Sequence, residues 1–463
     1  MLAIMTKFKF YKTYLQKQDK FEQIQKFIKY IKSVFEFESI VKSQKDFRQK
    51  SLIKTGTIFT IVFLGFVLRV QSFNELERLI NEQYFDVVFP KGTKMPSIDQ
   101  IANVLGVWDL DILSNSFKHI VNKIIKNKTF SNGTIDGYTP CAIDGTDLIK
   151  SREKHCDYCI EYTDKNKMPY YVHKAVICMV VGNDDNVVVD HEMFENIDNI
   201  NQDGMDAEAA KSTGELTCAK KILKRLPNCF DIIVGDALYC NAPFLKEVLK
   251  SGKHAVVRVK DERRKIVKKA LKSFSNHECT GTFVEKTDSN KEIEVTYWEG
   301  NFLMEDSTLD SDSVEKNIEV RFIDFHEIIT NSNGEIEEKT VRLITTDKKM
   351  SAITAWKIMH KRWDIENTCF RQLKTFCNLE HSYVHKGNSI ETILIIMLMS
   401  FNIGRLFMFR RLRNFKILFH KNKETIKHMI EGMKKELLLL SFSIRNKFIH
   451  LIKINLKEFE VTS

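Results

Sequence analysis

Between residues 140 and 260 short β-branched runs alternate with helical ones, and their order constrains the fold more than any other feature of the sequence. PCAIDGTDLI reads as an apolar strand ending in acids. Residues 170–181 (YYVHKAVICMVV) and 186–190 (NVVVD) are two more β-branched runs, joined by the turn-like GNDD. Residues 206–226 then follow a helical period. DIIVGD is a compact buried strand, NAPFLKEVLKSG a helix closed by glycine, and HAVVRVK another strand. The order β-β-β-α-β-α-β predicts a mixed sheet covered by helices. Between residues 282 and 346 follow IEVTYW, IEVRFIDFHEII and TVRLITT, the last two joined by NSNGE, a hairpin turn. They make a β-rich insertion before helix returns at about residue 351.

The flanks are helical. Phe21, Ile24, Ile28, Ile31 and Phe35 recur at helical spacing, and another helical stretch runs from Ile98 to about Asn127. The apolar stretch from residue 55 to 68 has 14 residues between Lys54 and Arg69, short of the about 20 that a membrane span needs. A second run, residues 393–409, is interrupted by Asn402, Gly404 and Arg405. Both read as buried helices. The first residues, MLAIMTKFKFYK, lack a signal-peptide pattern. Ten cysteines scattered over 463 residues suit reduced thiols, so the expected location is cytoplasmic, with no membrane.

Charge bears on the partner. The net charge is +10, but residues 1–46 carry +5 and residues 409–463 carry +8, so the middle nets −3. Two basic ends around a slightly acidic body suit a polyanion held by the ends, with acids kept for a cation or for catalysis. The same lysines would also serve as a plain solvated surface.

Three acids stand out. Asp144 follows Cys-Ala-Ile and Asp236 follows Ile-Ile-Val-Gly, each where an apolar strand ends. Ligand sites gather at the C-terminal ends of strands in such sheets. If the two strands are parallel neighbours, the carboxylates meet, and a hard oxygen pair suits Mg²⁺ or Mn²⁺. Either aspartate alone is as readily a turn residue. The third acid lies in KRWDIENTCFRQLKTF, where helical spacing puts Arg362 and Glu366 on one face, with Trp363, Ile365, Cys369 and Leu373 apolar. Taken alone, that pair would be an ordinary surface ion pair of about 0.3–0.5 kcal/mol.

Together AIDGT, VGDALY and RWDIEN with its downstream LK resemble the DDE transposases of bacterial insertion sequences, in the branch related to the type-four insertion elements. The resemblance runs from about residue 45 to about 412. It implies a ribonuclease H-like catalytic core and a metal-binding, catalytic triad of Asp144, Asp236 and Glu366. Two Mg²⁺ or Mn²⁺ ions about 4 Å apart would activate water or a 3′-hydroxyl and stabilise the leaving oxygen. The family's pattern around the glutamate also has a tyrosine, an arginine and a lysine. The arginine is Arg362. The tyrosine position is Met359 and the lysine position Leu373, with Lys374 one step later. Arg362 and Lys374 are the expected DNA phosphate-binding residues.

The expected organisation is a helical DNA-binding region (residues 1–130), the first part of a ribonuclease H-like core (131–274), a β-strand insertion (275–348), core helices carrying the glutamate (349–412) and a basic helical tail (413–463). The expected function is metal-dependent cleavage and strand transfer at the ends of an insertion sequence. Its partner is double-stranded DNA, both terminal inverted repeats and target, bound by a homodimer. The alternatives are a catalytically inactive, transposase-derived DNA-binding protein and a metal-dependent phosphohydrolase. Other signals carry less: His155-Cys156-x-x-Cys159 is half of a zinc spacing, and His381 and His385 lack the acid of an HExxH helix.

Overall fold

The structure, a computed structural model, describes residues 23–45, 48, 51–156, 158–194, 207–286, 291–306, 308–309, 316–445 and 461. The lysines before residue 23 and most of the last 18 residues, counted among the basic ends, lie outside the described residues. The chain forms two compact units: Lys128–Glu153 with Asp157–Arg371, and Met1–Asn127 with Lys154–Cys156 and Gln372–Ser463.

The first unit is built on one ten-stranded mixed sheet. Strands β1 (Pro140–Ser151), β3 (Pro169–Val180) and β4 (Val187–Met193) pair antiparallel through β3, and the short β2 (Ile160–Thr163) shares that strand with β4. Helix α7 (Ala207–Leu223) crosses to β5 (Ile232–Gly235), which lies parallel to β1. Helix α8 (Ala242–Lys250) leads to β6 (His254–Val259), parallel to β5. Ile232, Ile233 and Val234 are buried on both faces of the sheet, as a strand covered by helices requires. Antiparallel strands followed by helix-linked parallel ones make this the mixed α/β sheet that the order of runs in the sequence predicts.

After α9 (Lys265–Phe274), the β-rich segment does not form a sheet of its own. Strand β10 (Ile336–Thr345) pairs antiparallel with β6. Strands β9 (Asn317–Thr330), β8 (Glu292–Glu305) and β7 (Gly281–Lys286) extend the sheet in that order. NSNGE is the hairpin turn between β9 and β10, with Gly334 at φ +83°, a conformation that costs glycine nothing. Helix α10 (Ala352–Lys361) packs Ala355, Trp356, Ile358 and Met359 onto the core formed by Val234, Val256, Phe325 and Leu343.

The second unit is helical. Its helices include α1 (Gln23–Phe35), α2 (Phe37–Ser43), α3 (Thr55–Val67), α4 (Phe73–Asn81), α5 (Ile98–Leu105) and α6 (Leu110–Lys126). The chain returns to it through α11 (Arg371–Cys377), α12 (Ser389–Leu406), α13 (Arg413–His420) and α14 (Ile426–Arg445). Every residue of α3 is buried. Residues Ser389–Arg411 are long and apolar enough to cross a membrane by length and composition alone, but their apolar window is wholly buried within the protein. Helices α3 and α12 pack on each other, and the Ser400 hydroxyl donates to the Phe63 carbonyl at 3.1 Å. A hydrophobic helix without a polar face is a core helix here.

Candidate active site

Strand pairing brings the two aspartates to one level. Ala142 of β1 is in parallel register with Val234 of β5, so Asp144 and Asp236 each lie two residues beyond a matched pair. Asp236 follows the end of β5 as the sequence predicts, but Asp144 lies inside β1, which runs on to Ser151 because β3 continues to pair with it after the pairing with β5 stops. Residues two apart on a strand share a face. Asp144 accepts from the Gly145 N–H at 3.0 Å. Asp236 caps the turn into a short 3₁₀ helix (Ala237–Tyr239) by accepting from the Leu238 N–H at 2.9 Å.

Glu366 comes from a segment where the helix widens. Residues Ile365–Phe370 form a π-helical turn, and the Arg371 N–H reaches back five residues to the Glu366 carbonyl. Such turns are short and often lie at functional sites. The sequence predicts an unbroken α-helix here; the structure inserts the π turn, which alters the direction of every later side chain relative to Glu366. Asp364 ties the segment to the sheet by accepting from the Gly182 N–H at 3.2 Å, just beyond β3.

Arg362 joins the glutamate to the first aspartate. Its Nη1 donates to Glu366 Oε1 at 2.9 Å and lies 3.6 Å from Asp144 Oδ2, with the arginine side chain only 5% exposed. Arg362 therefore reaches the acids from a buried position. Lys374 belongs to the helical unit, where its ammonium pairs with Glu380 at 2.7 Å.

A fourth carboxylate enters the group from α7. Glu215 is buried, and its Oε1 accepts from the Tyr239 hydroxyl at 2.8 Å. A Cβ at position 145 would lie 2.5 Å from Glu215 Oε2, so a glycine after Asp144 is what leaves room for this carboxylate. Burial, together with the charges of Glu215, Asp236 and Glu366, pushes the Asp144 carboxyl up to about 7 against the lowering pull of Arg362. Burial and Glu215 likewise raise the Tyr239 phenol. Glu215 escapes the motif reading because nothing beside it in sequence suggests chemistry. The available signal is spacing: with Cys218, Ala219 and Ile222 it falls on the buried stripe of α7, where an acid needs polar partners.

Asp144, Asp236, Glu215 and Glu366 bring hard oxygen donors, of the kind that match Mg²⁺ or Mn²⁺, to one region of the sheet, although as they stand no three of them offer oxygens within 4.8 Å of one another. Among the discounted signals, Cys159 Sγ lies 3.2 Å from His173 Nε2. Asp190 and Glu192 are held by Arg225 at 2.9 and 2.6 Å, as a structural clamp.

Residues 201–403 match the family described as transposase DDE domain. The matched span contains Asp236 and Glu366, and Asp144 precedes it. No curated protein matches the chain. A solved structure similar to it is the cryo-EM structure of the piggyBac transposase synaptic complex with hairpin DNA. It is 11% identical, with a TM-score of 0.38 over 94% of this chain and 81% of that one.

Proposed function

We propose that this chain, which carries a transposase DDE domain, cuts DNA at the ends of a mobile element and joins those ends to a target, as members of the insertion-sequence branch do. The reading rests chiefly on one observation: Asp144, within β1, and Asp236, just past β5, each lie two residues beyond the last matched pair of these neighbouring parallel strands, and Arg362 links Asp144 to Glu366. Asp144, Asp236 and Glu366 would hold Mg²⁺ or Mn²⁺, two ions in this chemistry, which supplies Lewis-acid activation of the attacking oxygen and charge relief at the leaving one.

The chain's own groups do the rest. The Asp144 carboxyl, pushed up to about 7 chiefly by burial, can hold or release a proton near neutral pH. Arg362 orients the Glu366 carboxylate, and its fork matches either a carboxylate or a phosphate once the acids are otherwise neutralised. Glu215 and Tyr239 fix the side of the pocket behind Gly145. Double-stranded DNA is the proposed substrate, held by a homodimer, with phosphate contacts from the basic ends.

A catalytically silent descendant that only binds DNA is the second reading. Met359 and Leu373 favour it, since both are buried apolar residues where the family has a tyrosine and a lysine. Incubating the full chain with duplex DNA carrying the element's ends separates the two. Magnesium-dependent nicking lost in Asp236→Asn and Glu366→Gln, with both variants folded, supports the enzyme. DNA binding without nicking in the unaltered chain supports the second reading.

A further inference from the structure

The stretch that joins β1 to β2 carries Cys156-x-x-Cys159, which by itself is half of a zinc spacing. Strand register supplies a third donor. Strand β2 pairs antiparallel with β3, and the match of Ile160 with Val172 puts Cys159 opposite His173, one step further along. Residues directly opposite on antiparallel strands bring their side chains together on one face. Cys159 Sγ accordingly lies 3.2 Å from His173 Nε2, and each of these residues is only 5% exposed. Cys156 is half-buried. The ligand atoms of Cys156, Cys159 and His173 all lie within 4.8 Å of one another.

The position of His173 along its strand is also particular. Strand β3 pairs with β2 over Pro169–Val172 and with β4 from Ala175 onward, so His173 falls between the two partners. A bond through a metal can hold the chain where the ladder is interrupted. The donors are sulfur and imidazole nitrogen, which suit Zn²⁺, whereas the carboxylates of the candidate active site suit a harder ion. Around zinc, with bonds of about 2.3 Å to sulfur and about 2.0–2.1 Å to nitrogen, tetrahedral donors stand about 3.4–3.8 Å apart. Small side-chain movements bring the three atoms to that spacing.

We propose that Cys156, Cys159 and His173 form a structural zinc site that staples β2 to β3, its fourth position taken by a further donor or by water. As each Zn–S bond forms, the thiol gives its proton to water. His173 donates the Nε2 lone pair and keeps its proton on Nδ1. Two thiolates and a neutral imidazole then cancel the charge of the ion, so a buried place for it leaves no net charge. The site is independent of the DNA-cutting reading.

The test uses the full chain, stripped of metal by a chelator, then held under reductant with excess Mg²⁺. Zn²⁺ alone is titrated in, and Co²⁺ in a parallel sample. The chain should take up one Zn²⁺ that Mg²⁺ does not displace, releasing about two protons near neutral pH. Co²⁺ should give the intense visible bands of a tetrahedral ion and thiolate charge transfer in the near ultraviolet, both erased by Zn²⁺. Cys156→Ser, Cys159→Ser and His173→Gln should each weaken zinc binding about a hundredfold or more, because loss of a mere second-layer partner already costs about 10–100-fold. Cys156→Ser, at the half-buried position, keeps the test open if the two buried changes prevent folding. Cys229→Ser and Cys279→Ser, at exposed cysteines outside the group, should leave uptake as it is. No uptake against Mg²⁺, a cobalt spectrum without thiolate charge transfer, or wild-type affinity in any folded variant of the three ligands overturns the proposal. Cys159 and His173 are then a hydrogen-bonded pair and nothing more.

Discussion

Asp144 has the environment from which a pH dependence can be worked out by sign. Its carboxyl titrates near 7 in the folded, metal-free protein, against its ordinary value of 3.8. Folding therefore favours the protonated form. That contribution is complete below about pH 4 and is lost as the pH rises through 7. Metal-free protein should lose about 2–4 kcal/mol between pH 4.5 and pH 8 from this group, less whatever partial exposure screens. Asp144→Asn should flatten the profile in thermal melts and raise stability above pH 7, while abolishing magnesium-dependent nicking. An Asp144→Asn profile as steep as the wild type's would show that another group titrates. At the neighbouring position, Gly145→Ala should cost about 1–3 kcal/mol through its collision with the Glu215 carboxylate. The same change in a Glu215→Ala background should cost much less, and a double-mutant cycle by denaturant unfolding measures that coupling. Of these residues, Asp144 and Asp236 were legible in sequence because apolar strands run straight into them. Glu215 was not, because its partners Tyr239 and Gly145 are distant in sequence and meet it only through the sheet.

At the scale of elements, the strands of the first unit were readable wherever β-branched residues run uninterrupted, as in β3, β5 and β6. Strand β2 was not: four residues, alternating buried and exposed, carry too little pattern to stand out from a loop. The π turn at Ile365–Phe370 was invisible for a different reason. Its apolar residues keep a helical rhythm, and a single widened turn changes hydrogen bonding without changing composition. That turn makes Asp364 testable. Its carboxylate holds the Gly182 N–H, and so fixes the start of the turn against the end of β3. Asp364→Ala should cost about 1–2 kcal/mol of stability and lower cleavage by about tenfold to a hundredfold, with DNA affinity unchanged. Equal losses of affinity and cleavage would mean that the segment serves DNA binding instead of the placement of Glu366.

For the whole molecule, charge is the property that composition gives directly, and its use is measurable. Removing residues 1–22 takes away five lysines but spares α1, whose first N–H groups at Gln23 and Ile24 bond Glu436 at 2.9 and 3.0 Å. The shortened chain should bind duplex DNA more weakly, its salt slope shallower by about one for each lysine that meets a phosphate. An unaltered slope would make those lysines a solvated surface. What composition does not give is the joining of the insertion to the core sheet, since pairing between β10 and β6 spans almost ninety residues. That joining bears on self-association. Without the insertion, β6 would be an open edge next to the strand that carries Asp236, with bare amides able to recruit another chain. Strands β10, β9, β8 and β7 move the open edge four spacings of about 4.8 Å away, roughly 19 Å. The edge on this side of the sheet is then β7, which presents an exposed Val284 and ends at Lys286. Edge-to-edge pairing of two copies on this side of the sheet thus falls on a strand that carries none of the four carboxylates.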